Sequence, residues 1–212
     1  MNAGIKSPGE IINRKDFFLK GHGGLFKRAL DFDIYDPETN QLIMECREER
    51  PGFLRRLFRF NIQVRTPEVA QVVRVERGFT PFVSRFRIYD HNDQLVGGLK
   101  EKFLSPPDVL DRDEQPVCTL KRNWAGWGAV DFRFVWGEHE LAQLSRKLAG
   151  LDELSTSGDY SEEWAGLVKL FTSDDYMLSI SPSVPPSSAL RRLILGAVMC
   201  IIFLMRRRSG GG

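Results

Sequence analysis

The sequence predicts a single all-β domain, a closed antiparallel β-barrel of about twelve strands around a buried apolar C-terminal helix. Three observations lead to this prediction. Alternating apolar and polar runs follow one another from residue 17 to residue 181, helical periodicity is nearly absent over the same stretch, and one segment near the end is apolar on every side. A chain of 212 residues can bury such a core as one domain.

The β-hairpin is the recurring unit of the chain. Its clearest copies share the pattern Phe-x-Ile-Tyr-Asp at residues 32–36 and 86–90, and each leads through turn residues into a second alternating run. Asp and Asn at turns hydrogen-bond their own backbone, and alternation with period two buries one face of a strand. The predicted strands are 17–20, 32–36, 42–47, 60–65, 69–77, 86–90, 95–100, 108–111, 116–121, 132–135, 141–147 and 176–181.

The composition is that of a globular protein without a strong overall charge. Hydrophobic residues make up 42% of the chain, with 15 Phe and 4 Trp, which excludes a disordered protein. Thirty basic and 28 acidic side chains give a net charge of +2, so no global field steers the protein onto nucleic acid. A basic partner site must therefore be local.

The two ends of the chain are predicted to be tails. Residues 1–14 are polar and lack the apolar stretch of a secretory signal, which favours a cytoplasmic protein, and residues 206–212 form a basic, Gly-rich tail. The cysteines Cys46, Cys118 and Cys200 are odd in number and widely spaced. We therefore expect buried free thiols rather than disulfides or a zinc site.

The segment 193–205 is apolar throughout and follows Ser187 and Ser188, either of which can cap a helix. We interpret it as a helix buried on every side. The alternative is a membrane anchor flanked by arginines at 191–192 and 206–208. A membrane-spanning helix needs about 20 apolar residues, and this shorter run favours a core helix over a tail anchor.

Several short phrases, taken in order, resemble one protein family. They are residues 32–37 with 45–48, 103–105, 109–111, 116–121, 164–167, 171–176, 179–182 and 190–200. Residues 15–205 are thereby similar to the tubby-like superfamily, and more closely to the LURP-one-related proteins and the phospholipid scramblases. The resemblance implies a closed barrel with the helix threaded through it. The chain departs from the pattern in residues 152–163, interpreted as an inserted surface loop, and in the arginines after the helix.

A local basic site is predicted in residues 51–60. Apolar and basic side chains share this segment, namely Phe53, Leu54, Leu57 and Phe58 with Arg55, Arg56 and Arg59. In a helix they would form one apolar and one basic face, which suits a membrane interface with the arginines on lipid phosphates. The alternative is a short helix that closes one end of the barrel, with its arginines in solvent.

Three other segments are weaker candidates. The Gly-rich, basic loop at residues 20–28 lacks the Gly-Lys-Ser/Thr ending of a P-loop, which favours a hairpin loop over a phosphate site. Asp174 and Asp175 lie where the resemblance implies a calcium-binding stretch, but no closing acid follows, so we predict a turn and no tight metal site. The Trp-Ala-Gly-Trp-Gly segment at 124–128 could anchor at an interface, although a tight bend with packed rings is favoured.

No enzymatic activity and no cofactor are predicted, because His22, His91 and His139 are far apart and belong to no known catalytic motif. The predicted function is that of a scramblase-like, membrane-associated protein that binds anionic phospholipid. Such a protein would be cytoplasmic, with a peripheral position at the inner face of the membrane.

The alternative function is a soluble interaction or regulatory module. It would hold a protein, or less readily nucleic acid, on the barrel surface. A groove would then be formed by dispersed basic residues such as Arg74, Arg77, Arg85 and Arg87.

Overall fold

The protein folds as a closed β-barrel, seen in a computed structural model that describes residues 8–22, 30–49, 60–78, 85–102, 106–125, 129–147 and 175–209. The strands are β1 (Asp16–Gly21), β2 (Asp31–Tyr35), β3 (Leu42–Glu49), β4 (Phe60–Arg65), β5 (Gln71–Gly78), β6 (Arg85–Tyr89), β7 (Leu95–Lys100), β8 (Asp108–Asp111), β9 (Pro116–Ala125), β10 (Ala129–Trp136), β11 (His139–Lys147) and β12 (Asp175–Ile180). Each strand pairs antiparallel with its sequence neighbours, and β1 also pairs with β12. With helices α1 (Pro8–Ile11) and α2 (Ala189–Ser209), this architecture confirms the predicted fold class.

Four hairpin turns share one backbone geometry. They connect β2–β3, β4–β5, β6–β7 and β8–β9 at one end of the barrel, which we call the turn end. Each turn contains one residue in the left-handed region, namely Asn40 (φ 53°), Val69 (φ 69°), Asp93 (φ 58°) and Glu114 (φ 63°). The strand register shifts beside each turn, as it does at a β-bulge. In the third turn, Oδ1 of Asp90 accepts hydrogen bonds from the backbone N–H groups of Asn92 and Gln94, as the turn chemistry predicts.

Helix α2 fills the interior of the barrel. Leu193 and Ile201 are 2% and 3% exposed, and the residues between them are buried. The helix starts at the turn end and lies closest to β5, β6 and β7. It finishes at the opposite end, which we call the helix-exit end, where the Phe203 and Phe86 rings pack edge to face with centroids 5.9 Å apart. The prediction of a helix buried on every side is confirmed.

The N-terminal residues differ from the predicted tail. From Pro8 onward they pack on the turn end, with Ile11 5% exposed and Ile12 fully buried. The Arg14 side chain forms an ion pair with Asp36. The physical reason is the adjacent pair of isoleucines, whose burial covers the core where α2 begins.

Helix α2 is longer than the apolar run at 193–205. The Ser188 hydroxyl oxygen caps its start by accepting a hydrogen bond from the N–H of Arg191 at 3.4 Å. At the other end the helix continues through residues 206–208, which were predicted as a tail. Basic residues there complement the negative end of the helix dipole. Among the described residues, no helix combines the length and the apolar character of a membrane-spanning segment.

The three cysteines are buried free thiols, as predicted. Burial raises the pKa of Cys118 to about 12, and it also raises the pKa values of Cys46 and Cys200. Thiols with such pKa values are poor nucleophiles. They therefore act as small apolar side chains of the core.

Candidate functional site

A layer of charged side chains lies at the helix-exit end. Three arginines continue the inward-facing rows of their strands, with Arg77 opposite Phe86, Arg122 opposite Phe132 and Arg146 opposite Tyr176. These aromatic partners are 1%, 7% and 4% exposed. Directly opposed residues of an antiparallel ladder share one face of the sheet. The three arginines therefore lie on the inner face, at the rim of the barrel.

Helix α2 brings a fourth arginine to this layer. The guanidinium carbon of Arg206 lies 4.6 Å from the centroid of the Phe32 ring, and that of Arg122 lies 6.0 Å from the Phe132 ring. Cations at such distances are attracted to the face of an aromatic ring. We call these four side chains the arginine rim: Arg77, Arg122, Arg146 and Arg206.

The arginine rim is spread around the barrel and carries a net positive charge. Its members come from β5, β9, β11 and the helix, where Arg206 lies beside β2. Glu48 continues the inward-facing row of β3 opposite the buried Ile62, and Glu101 follows the last residue of β7. Oε2 of Glu48 accepts a hydrogen bond from the Leu30 N–H at 2.8 Å. All six charged groups take part in interactions within the protein. Four guanidinium groups against two carboxylates leave a net charge of +2 in the layer, and Arg207 and Arg208 follow in the sequence.

The arginine rim was not predicted from the sequence, although a signal was present. The three strand arginines end the pattern apolar-x-apolar-x-Arg, at residues 73–77, 118–122 and 142–146. Alternation places each arginine on the same face as the two apolar residues before it. The shared position at one end of the barrel follows only from the observed register.

The turn end has the opposite charge. The five hairpin turns at residues 36–41, 66–70, 90–94, 111–115 and 136–139 contain nine Asp or Glu, and Arg112 is their single Lys or Arg. The barrel is therefore polarised along its axis, with carboxylates at the turn end and the arginine rim at the helix-exit end.

The turn end is also closed by Arg191, whose side chain is buried. Its guanidinium donates hydrogen bonds to backbone carbonyl oxygens of Val184 (3.1 and 3.2 Å), Pro185 (3.2 Å), Ile12 (3.3 Å) and Arg14 (2.8 Å). Burial lowers the pKa of Arg191. This arginine ties the helix to the N-terminal segment, so its role is structural.

The predicted lipid-binding residues lie outside the described residues; they are Phe53, Arg55, Arg56, Leu57, Phe58 and Arg59. The same holds for Asp174 and for residues 23–28, 126–128 and 152–163. Asp175 begins β12, and its Oδ1 accepts a hydrogen bond from the Gly21 N–H at 3.1 Å. In the part of the chain that the structure describes, no three His, Cys, Asp or Glu residues are grouped to hold a metal ion.

The four arginines of the predicted surface groove do not form one row. Arg77 faces inward, whereas Arg74, Arg85 and Arg87 face outward, because their strand neighbours Val75, Phe86 and Ile88 are buried. The guanidinium of Arg74 lies 4.2 Å from the Tyr89 ring centroid and pairs with Glu76 and, at 3.0 Å, with Asp93. Arg85 pairs with Glu114. Two of the three outward-facing arginines thus have carboxylate partners.

The three histidines lie on separate elements, after β1, in the β6–β7 turn and at the start of β11. His22 has a defined environment, since its Nε2 lies 2.7 Å from Oδ2 of Asp33 while Nη2 of Arg47 lies 2.7 Å from Oδ1. Burial raises the pKa of Asp33, but hydrogen bonds from Arg47 and His22 outweigh it and hold this pKa below its ordinary value of 3.8. This cluster links β2 and β3 on the outer face.

Comparisons with known proteins add little to this geometry. No protein-family model and no curated protein matches the chain. A protein from Arabidopsis thaliana of known X-ray structure is similar over 90% of this chain and 91% of its own, with 12% identity and a TM-score of 0.48. A similarity at this level carries no argument about function.

Proposed function

We propose that this protein binds anionic phospholipid at a membrane surface through its helix-exit end, without catalysing a reaction. The observation that carries the proposal is the arginine rim at one end of a barrel whose other end is acidic. Arginine binds phosphate through paired hydrogen bonds. A barrel polarised in this way turns its basic end toward a negatively charged surface.

The spacing of the arginine rim favours a surface over a single small anion. Arginines on β5, β9 and β11 point from different parts of the circumference, so the phosphates of several lipids can contact them together. The resemblance of the sequence to phospholipid scramblases is in keeping with the same ligand class. We propose a peripheral position at the inner membrane face. Helix α2 occupies the barrel interior, so we propose binding of lipid at the end of the barrel and not its passage through the barrel.

Sedimentation with lipid vesicles tests this proposal. The full chain should sediment with vesicles of phosphatidylcholine and phosphatidylserine, release at high salt, and stay in solution with phosphatidylcholine alone. The double variant Arg122→Gln/Arg146→Gln removes two rim charges and should partition roughly thirtyfold more weakly, at about 1 kcal/mol per basic residue.

The matched control is Lys15→Gln/Arg112→Gln, which removes two cations at the turn end. Both side chains are exposed, and binding should stay within twofold of the parent chain. An equal loss in the two double variants, or no sedimentation of the parent chain with phosphatidylserine, contradicts the proposal.

A second candidate function is the binding of a protein partner at the turn end. Trp136, the last residue of β10, and Val69, in the β4–β5 turn, are 56% and 67% exposed and lie at the turn end, whose turns carry carboxylates. Exposed aromatic residues are frequent anchors of protein interfaces. Two results together would favour this candidate over lipid binding. The full chain would not sediment with anionic vesicles, and the Trp136→Ser substitution would abolish binding of a protein partner.

A further inference from the structure

We propose that Ser209 is a phosphorylation site, and that its phosphorylation weakens the binding of the helix-exit end to an anionic surface. The release from membranes rests on the proposed function, whereas the modification itself does not. Ser209 is the last residue of α2 and directly follows Arg206, Arg207 and Arg208. Arginines two and three positions before a serine are what the acidic substrate cleft of a basophilic protein kinase recognises.

The chemistry is an ordinary phosphoryl transfer. The Ser209 oxygen forms a bond to the γ-phosphorus of ATP, the bond from that phosphorus to the β–γ bridging oxygen breaks, and ADP leaves. The hydroxyl proton passes to the catalytic base of the kinase. The kinase thus supplies the catalytic base, and Mg·ATP supplies the phosphoryl group.

The position at the end of the helix gives the phosphate two effects. A phosphoserine carries about −1.5 to −2 charges at pH 7, which offsets about two of the three preceding arginines. It also stands at the negative end of the helix dipole, where an anion destabilises the last turn. Arg206 in that turn is the residue placed over the Phe32 ring, so the modification reaches the arginine rim directly.

The test treats the full chain with a basophilic serine kinase and Mg·ATP, and follows intact mass, site assignment and vesicle sedimentation. We expect one phosphate on Ser209, none on the Ser209→Ala variant, and roughly thirtyfold weaker partition onto phosphatidylserine vesicles that phosphatase reverses. Faster amide exchange in residues 203–209 should accompany the modification even without lipid.

Two results would overturn the inference. One is a full chain that takes up no phosphate at Ser209. The other is phosphorylated protein that binds phosphatidylserine as tightly as the unmodified chain. If the unmodified chain does not bind vesicles at all, the proposed function is contradicted instead. The mass and exchange measurements then still decide whether Ser209 is phosphorylated and whether the phosphate loosens the end of the helix.

Discussion

Nη1 of Arg191 donates a hydrogen bond to the backbone carbonyl oxygen of Arg14 at 2.8 Å, and this contact joins the start of the core helix to the segment that precedes the first strand. The two residues are 177 positions apart in the chain. Closure of the barrel by β1 and β12 is thereby reinforced by a second link between the N-terminal and C-terminal parts of the chain.

Replacing Arg191 should destabilise the fold strongly. Arg191→Met removes the donors for the carbonyl groups of Ile12, Arg14, Val184 and Pro185, and buried acceptors without partners are costly. We expect the free energy of unfolding to fall by about 3 kcal/mol, measured by urea denaturation. Arg192→Met is the matched control, because Arg192 makes an exposed contact to the Ser187 carbonyl, and it should change stability by less than about 0.5 kcal/mol. Equal effects of the two substitutions would contradict the structural role of Arg191.

The close approach of α2 to β6 predicts a steric coupling between two positions. A Cβ atom at Gly196 would lie 2.5 Å from Cγ2 of Ile88. Gly196→Ala should therefore lower the free energy of unfolding by about 2 kcal/mol, although alanine is the better helix former. In the background of Ile88→Ala, the same substitution should no longer be destabilising, which thermal and urea denaturation of the four chains can establish. Additive effects would mean that the helix does not pack on β6 as described.

The left-handed turn residues predict a stabilising substitution. Val69 has φ 69°, which is an unfavourable backbone conformation for a β-branched residue. Its side chain is 67% exposed. Val69→Asn should raise the free energy of unfolding by about 1 kcal/mol, since asparagine tolerates this region. The reciprocal change Asn40→Val, at φ 53° in the β2–β3 turn, should lower it by a similar amount. Calorimetric melting of the two variants checks the prediction, and a shift of the same sign in both would contradict it.

The Asp33 cluster predicts a pH-dependent contribution to stability. Hydrogen bonds from Arg47 and His22 hold the pKa of Asp33 below 3.8 in the folded protein, although burial acts in the opposite direction. A lowered folded-state pKa stabilises the fold above pH 3.8, and this contribution disappears as the pH falls through the folded-state value. Asp33→Asn should lower the free energy of unfolding by about 1 kcal/mol at pH 7 and leave it unchanged at the acid end of a series of denaturation measurements. A difference that does not depend on pH would exclude the ionised carboxylate as the cause.

The fold was predictable because its strands follow local rules. The Phe-x-Ile-Tyr-Asp pattern at 32–36 and 86–90 and the apolar run at 193–205 each specify one element, and both correspond to observed elements. The packing of Ile11 and Ile12 was not predicted, because two isoleucines in a polar segment give no periodic signal. These residues are buried because the start of α2, which is far away in the sequence, lies beside them in the folded protein.

The candidate site was less predictable than the fold. The expected basic segment with Arg55, Arg56 and Arg59 lies outside the described residues and stays a prediction. The arginine rim escaped detection because each of its strand members looks like an ordinary polar residue that follows the apolar residues of an alternating strand. Only the register that sets Arg77 beside Phe86, and Arg146 beside Tyr176, identifies a common layer. Long-range register is not encoded in any one segment.

Hydrogen–deuterium exchange of the full chain, with and without phosphatidylserine vesicles, examines both the barrel with α2 as its core and the arginine rim as the proposed binding surface. We expect the amides of residues 193–202 to exchange only by global unfolding in both states. New protection on vesicles should appear around Arg77, Arg122 and Arg146. Rapid exchange of residues 193–202 in the free protein would exclude α2 as the barrel core, and vesicle protection confined to the turns at the opposite end would exclude the arginine rim as the binding surface.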